Sequence, residues 1–302
     1  MNTDFHSSIL EKAFEEELQC SIANLSLIGK GASGVVYKAE LDAAPYTAVI
    51  KISKFPDLLQ EEYANINFIS DRADCKLPKL YFFFTHKGIA YLAMEHIEGV
   101  EPTPRNLLFR KNKNKLACEI VENLIRIHSV TNDKYGPVNN AVYETWFEFY
   151  FAFAKEIADF TDGSDVPKTV KKAVFVSLNK LDKILSGSNG APTLIHGDYW
   201  CPNFIVDRNK MELKGIIDPF NIMWAEPEYE LFTLTTGYGR KLKLYKTYKK
   251  YVKTTEFCDM KTELYALYNE LLWYKKLGSI NFFYLKYRSK RLLSQMKKNK
   301  LI

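Results

Sequence analysis

The sequence predicts an α+β chain in two lobes: a small strand-rich lobe over residues 1–98, carrying one key helix, and a larger, mostly helical lobe over residues 99–302. Three observations carry this expectation. β-branched and aromatic residues alternate through five short runs between Ile22 and Ile97. Apolar residues at helical spacing dominate beyond Leu116, interrupted by one β-like island from Thr193 to Trp224. Between the two regimes, Glu98-Gly99, Pro102 and Pro104 mark a linker.

Each element follows from its residues. Ser7 or Ser8 is the expected cap of a first amphipathic helix, ILEKAFEEELQ, with acids near its start. Three strands come next (SLIGKG, SGVVYKAEL and YTAVIKIS), the last two separated by a turn at Pro45. A helix is expected from about Leu58 to Ser70, then two strands, KLYFFFTHK and IAYLAMEHI, joined by Lys87-Gly88. Helical spacing then covers Leu116–Ser129, Tyr143–Phe160, Val166–Leu185, Thr262–Leu277 and the tail. The chain is 47% hydrophobic and 26% charged, with 19 Tyr and 20 Phe, which excludes a disordered chain.

The five cysteines are scattered and never form a C-x-x-C pair, so reduced thiols are expected rather than a disulfide framework or a zinc site. The most aromatic run, Val142 to Phe160, is broken by Glu144, Glu148, Lys155 and Glu156, and the N-terminus shows no signal-peptide pattern. A soluble, cytoplasmic protein is the expectation, monomeric or dimeric. Net charge is +6, but segments 240–253 and 280–302 each hold seven basic residues and no acid. Without them 28 positive charges face 36 negative ones. These segments read as amphipathic helices with solvated lysine faces; weak binding to an anionic surface is the other reading, and no DNA partner is expected.

Three signals carry chemistry. Gly29-Lys30-Gly31-Ala32-Ser33-Gly34-Val35-Val36 is a G-x-G-x-x-G-x-V between two expected strands. Such glycines let a hairpin approach triphosphate oxygens and offer backbone N–H groups. Gly29, Gly31, Ser33 and Gly34, with Val36 next along the strand, are the residues expected at a nucleotide. A dinucleotide-binding reading requires a helix after the glycines, and VVYKAEL is strand-like instead.

The second signal is Ala48-Val49-Ile50-Lys51-Ile52, a V-A-I-K-like strand whose lysine neutralises phosphate charge. An ammonium within an apolar strand needs an anionic partner. Glu62, on the next helix, is the natural candidate. The third and strongest signal is His196-Gly197-Asp198-Tyr199-Trp200-Cys201-Pro202-Asn203, followed by Ile217-Asp218-Pro219 after a further apolar strand. In H-x-D-x-x-x-x-N the aspartate, Asp198, accepts the proton of an attacking hydroxyl, and Asn203 and Asp218 hold magnesium. Each alone is also a common turn residue; their order and spacing together point to phosphoryl transfer.

These motifs resemble the aminoglycoside phosphotransferase and fructosamine kinase-like family, relatives of protein kinases that phosphorylate small molecules. His196 to Asn203 is similar to the fructosamine kinase branch's H-G-D-L-W-x-x-N. Asp218-Pro219 with Glu228 and Glu230 is similar to its D-P-x8-E-x-D, although Glu230 stands where that branch carries Asp. Leu264-Tyr265-Ala266-Leu267-Tyr268, closed by Leu277-Gly278, is similar to its C-terminal helix. Tyr135-Gly136 and Trp146-Phe147 fall near its F-G and W-x-x-F-F. The resemblance implies a two-lobed protein-kinase-like fold and ATP with Mg2+ as cofactors. It also implies Lys51 and Glu62 as the nucleotide ion pair, and backbone near Met94, Glu95 and Ile97 against the adenine.

The implied reaction transfers the γ-phosphate of ATP to the hydroxyl of an amine-bearing, sugar-like molecule: a fructosamine or ribulosamine, an aminoglycoside or another cationic antibiotic. Trp200, Trp224, Glu228, Glu230, Glu270 and Trp273 are the expected acceptor-side residues, because acidic and aromatic walls suit a cation. A protein Ser/Thr kinase is one rival, favoured by the glycine loop. Against it, His196-Gly197-Asp198 lacks the arginine of H-R-D, and no A-P-E follows Asp218. A non-catalytic nucleotide-binding module is the other, disfavoured because Asp198 would have no purpose in it.

Overall fold

Strand-forming runs collect in a first unit of residues 1–111 and 202–220, while residues 112–201 and 221–302 form a second. The computed structural model describes residues 3–30, 34–107, 111–188, 190–278 and 280–302. The chain begins with α1 (Thr3–Leu18), β1 (Ile22–Lys30), β2 (Gly34–Leu41), β3 (Thr47–Ser53), α2 (Pro56–Ser70), β4 (Leu80–His86) and β5 (Ile89–Glu95). Next come α3 (Lys113–His128), β6 (Gly136–Pro137), α4 (Trp146–Gly163), α5 (Lys168–Leu178), α6 (Leu181–Ile184) and β7 (Thr193–Leu194). After them run β8 (Phe204–Asp207), β9 (Glu212–Ile216), β10 (Met223–Ala225) and a 3-10 segment, Pro227–Thr235. The last helices are α7 (Gly237–Leu242), α8 (Leu244–Tyr251), α9 (Cys258–Leu277) and α10 (Phe282–Lys298).

In the first unit, β1 to β5 make an antiparallel sheet in the order β1-β2-β3-β5-β4. The two-residue period of its strands sorts side chains onto two faces. Ala48, Ile50 and Ile52 of β3, with Tyr91 and Ala93 of β5, pack against Leu10 and Phe14 of α1. Phe14 meets Phe82 edge-on, with ring centroids 5.0 Å apart. Ala90, Leu92 and Met94 of β5 face the other way and pack on Leu59 and Ile66 of α2. Lys51, between Ile50 and Ile52, therefore projects toward α2. Gly34 opens β2 opposite Ser53, and a Cβ built on it would lie 2.1 Å from the Ile52 carbonyl oxygen, so only glycine fits that approach. The β8–β9 hairpin joins this unit through reciprocal bonds between Val100 and Val206 (3.0 and 2.9 Å) and from Ile216 N–H to the Lys76 carbonyl (2.7 Å).

The second unit is mostly helical, with a small sheet in the order β6-β10-β7. Its core is aromatic. Trp146 of α4 is fully buried, stacks on Tyr150 and donates its indole N–H to the Tyr265 hydroxyl at 2.9 Å. Lys261, also fully buried, is ion-paired with Glu226 at 2.9 Å and Glu228 at 3.1 Å.

Several boundaries differ from expectation for local reasons. The first helix begins at Thr3, so Ser7 and Ser8 lie inside it. Tyr143 is extended, exchanging backbone bonds with Tyr135, and α4 starts only after the capping box of Thr145 and Glu148. The expected helix 166–185 breaks after Leu178, where the Asn179-Lys180 turn re-aims Leu181 and Ile184 into the core. The two basic segments form α7, α8 and α10 with mostly exposed cations.

Candidate active site

In the first unit, α2 starts with Pro56 at its first turn and lays Leu59 and Ile66 against the sheet. Glu62 falls in the same row by helical spacing, and its carboxylate accepts from the Lys51 ammonium at 2.6 Å. The same ammonium is bonded to Asp218. Val36 and Leu92 flank Lys51 in register on β2 and β5. Burial works against the lysine's charge, but Glu62 and Asp218 outweigh it and hold Lys51 above its ordinary value. Burial pushes Glu62 up to about 7 against the pull of Lys51, and the neighbouring Asp218 pushes in the same direction as burial.

Asp218 follows β9 in a left-handed conformation, φ 57°, which is unusual for a residue with a side chain. Asn65 of α2 holds the following turn by donating to the Pro219 carbonyl at 3.2 Å. Asn203 is buried at the mouth of the same hairpin, and its carbonyl accepts from Ile217 N–H at 2.9 Å. Backbone pairing thus brings Asn203 beside the residue preceding Asp218. Gly29 pairs with Val36 across β1 and β2. Gly31 and Ser33 lie outside the described residues. Met94 is buried, Glu95 accepts from Lys79 N–H at 3.1 Å, and Ile97 packs so closely on Gly215 that a Cβ there would come within 2.3 Å of it.

In the second unit, the loop bearing Asp198 is fixed by its neighbours. Glu230, only 2% exposed, uses both carboxylate oxygens on it, accepting from His196 N–H at 3.1 Å and Gly197 N–H at 2.6 Å. Gly197 has φ 81°, a conformation glycine adopts without strain. His128 at the end of α3 contacts Glu230 at 3.2 Å and the Tyr248 hydroxyl at 3.0 Å. Tyr199, buried next to Asp198, donates to the Ile120 carbonyl at 2.6 Å. The loop is thereby pinned on both sides of Asp198.

The acceptor-side residues are placed differently from one another. Trp200 is exposed, whereas Trp224 is buried in β10. Glu228 accepts from Thr255 N–H (2.5 Å) and its hydroxyl (2.7 Å) as well as pairing with Lys261, so its oxygens and those of Glu230 are taken by protein groups. Glu270 and Trp273 are half-buried on α9. Burial raises Glu270 above its ordinary value, against the pull of Arg288, and Trp273 carries Lys276 over its ring at 5.4 Å. Sequence reasoning missed Asn65, His128 and Tyr248. Of these, His128 alone had a signal: it ends α3 on the apolar face that Ile120, Leu124 and Ile127 mark at helical spacing.

A two-faced antiparallel sheet with a lysine–carboxylate pair, and a helical unit that pins an aspartate loop, define a protein-kinase-like phosphotransferase. The family model for the phosphotransferase enzyme family matches residues 24–249, and the chain belongs to that family. The uncharacterized protein YcbJ of Escherichia coli (strain K12) is 25% identical over 168 residues, 53% of this chain and 56% of that protein. The match thus spans about half the length of that curated relative. Among solved structures, the putative fructosamine-3-kinase of Haemophilus somnus 129PT is 15% identical, with 95% of this chain and 96% of that one covered and a TM-score of 0.69. A thermostable mutant of aminoglycoside phosphotransferase APH(4)-Ia, in complex with AMP-PNP and hygromycin B, is 16% identical over 96% of this chain and 98% of that one, TM-score 0.71. The GDP complex of aminoglycoside 2'-phosphotransferase-IIIa is 14% identical over 99% and 100%, TM-score 0.72. No helix among the described residues is long and apolar enough to cross a membrane.

Proposed function

We propose that the protein is an ATP-dependent small-molecule kinase that moves the γ-phosphate of ATP, carried with Mg2+, to a hydroxyl of an amine-bearing, sugar-like acceptor. The observation that carries this reading is the Lys51 ammonium held between Glu62 and Asp218. A lysine kept charged in a partly buried site suits polyphosphate, and Glu62 orients it there. Gly29 to Gly34 cover the phosphates, and the backbone near Met94, Glu95 and Ile97 meets the adenine.

Asn203 and Asp218 fit a magnesium ion. Both offer oxygen donors, which a hard cation prefers, and magnesium at a nucleotide takes its remaining ligands from phosphate and water. When bound, magnesium neutralises charge on the transferring phosphates. Asp198 accepts the hydroxyl proton as the acceptor oxygen bonds to the γ-phosphorus and ADP leaves with the broken bond's electrons. Glu230 acts on this step only by holding the Asp198 loop. Trp200, with Glu270 and Trp273, is left to meet the acceptor. The acceptor class is supported by the solved neighbours, a putative fructosamine-3-kinase and aminoglycoside phosphotransferases.

The test is an ATP-consumption screen over fructosamines, ribulosamines, aminoglycosides and other hydroxylated amines, with mass spectrometry of the products. Asp198→Asn should slow turnover by about 10²–10⁴ while ATP affinity changes little. Near-normal turnover in that variant would remove Asp198 from its role. Label from ATP appearing on proteins of a cell extract, rather than in the low-mass fraction, would overturn the small-molecule acceptor.

A further inference from the structure

Helix α10 buries one face and leaves the other bare. Leu285, Leu292 and Met296 join the core of the second unit, and Arg288 is buried beside them, ion-paired with Glu263 at 2.9 Å. At 100° per residue, the exposed positions from Phe283 to Lys298 fall on the opposite side within an arc of about 140°. That arc is basic and aromatic: Lys286, Tyr287, Lys290, Arg291, Lys297 and Lys298 are all exposed. Residues 271–302 contain no acid at all. Arg291 shares Glu263 with Arg288, while the four lysines form no salt bridge among the described residues.

At the end of α9, where Gly278 takes φ 68°, and at the start of α10, apolar side chains stand in solvent. Leu277 is 69% exposed and Phe283 85%, while Phe282, 39% exposed, meets Tyr274 edge-on with ring centroids 6.0 Å apart. Lys276 and Lys286 flank this tip and are exposed too. Lys276 lies over the Trp273 ring of the site described above, and the other side chains are no part of that site.

We propose that this face docks on a lipid bilayer carrying acidic phospholipids. Leu277, Phe282 and Phe283 enter the headgroup–acyl boundary, while the lysine row of α10 lies along the headgroup phosphates. From Lys286 to Lys298 that row runs about 18 Å along the helix. Charge complementarity selects the anionic surface, and the apolar tip selects a bilayer over a nucleic acid. An aliphatic leucine gains nothing from stacking on a base but is favoured among acyl chains. A second copy of the chain fits poorly, because a two-fold contact through this face would set cations against cations.

The test is co-sedimentation of the full chain with vesicles of phosphatidylcholine alone or of equimolar phosphatidylcholine and phosphatidylserine. The expected result is binding only to the acidic vesicles, falling as salt is raised. Lys286→Ala with Lys290→Ala should weaken it about 30-fold. Phe283→Ser, alone or with Leu277→Ser, should weaken it as well, with circular-dichroism melting unchanged because these side chains are 85% and 69% exposed. Failure to bind acidic vesicles, or equal binding to both kinds, overturns the proposal. So does binding to a uridine homopolymer without vesicle binding, or a dimer in solution that the phenylalanine variants dissociate.

Discussion

One ammonium shared by two carboxylates has consequences that a simple ion pair lacks. Lys51 cannot neutralise Glu62 and Asp218 together, so Glu62 is pushed up to about 7 by burial and its second anionic neighbour. A group that binds its proton more tightly in the folded state favours the fold at low pH. The Glu62 contribution is therefore fully present below about 4.5, its ordinary value, and is lost as pH rises through about 7. The melting temperature of the nucleotide-free protein, taken as wild type minus Glu62→Gln, should fall across that window. A difference that stays flat with pH would mean that Glu62 titrates as an ordinary glutamate. Lys51→Met removes the charge proposed to meet the phosphates and should lower turnover by about 10²–10³.

At the scale of elements, the Asp198 loop depends on the 3-10 segment that carries Glu230. Both backbone N–H groups it satisfies need an acceptor, and a glutamine offers one oxygen and one donor. Glu230→Gln therefore leaves a backbone N–H facing an amide NH2, an arrangement that costs about 1–3 kcal/mol when buried. The expected outcome is a lower kcat with little change in KM for ATP; a change in KM alone would show that the loop keeps its place without the clamp. Strand β2 poses a steric test instead. Gly34→Ala drives a methyl group into the Ile52 carbonyl, so the β2–β3 pairing must shift, with a lower melting temperature as the readout. These elements also show what was legible in the sequence. The five strands were readable because alternation and turn residues are local, and Lys51 with Glu62 because a charge in an apolar strand requires a partner. The break at Asn179 and the true start of α4 were not read, although Thr145 and Glu148 carried the capping signal in plain view. Glu228 and Glu230 were expected at the acceptor because nothing local reveals that Lys261, Thr255 and the Asp198 loop fold onto them.

Over the whole molecule, the residues proposed to handle the phosphates and their metal are distant in sequence yet belong to one unit. Lys51 and Glu62 come from residues 1–111, whereas Asn203 and Asp218 come from residues 202–220, which return to that unit through the Val100–Val206 bonds. Asp198 lies in the second unit, and Asn203 follows it five residues later in the chain. A nucleotide bound by Lys51 and a metal bound by Asn203 and Asp218 would therefore stabilise both sequence segments of the first unit together. With Mg-ATP at a hundredfold excess over its dissociation constant, mass action supplies about 2.7 kcal/mol. For a chain of 302 residues that corresponds to roughly 4 °C in melting temperature. Asp218→Asn is the discriminating variant, because asparagine tolerates the left-handed backbone at φ 57° while the carboxylate is lost. It should melt near the wild-type temperature without ligand and lose the magnesium-dependent part of the shift. If Mg-ATP stabilised wild type and Asp218→Asn equally, the metal would have to be held elsewhere, and the assignment of the hairpin's two oxygen donors would fall.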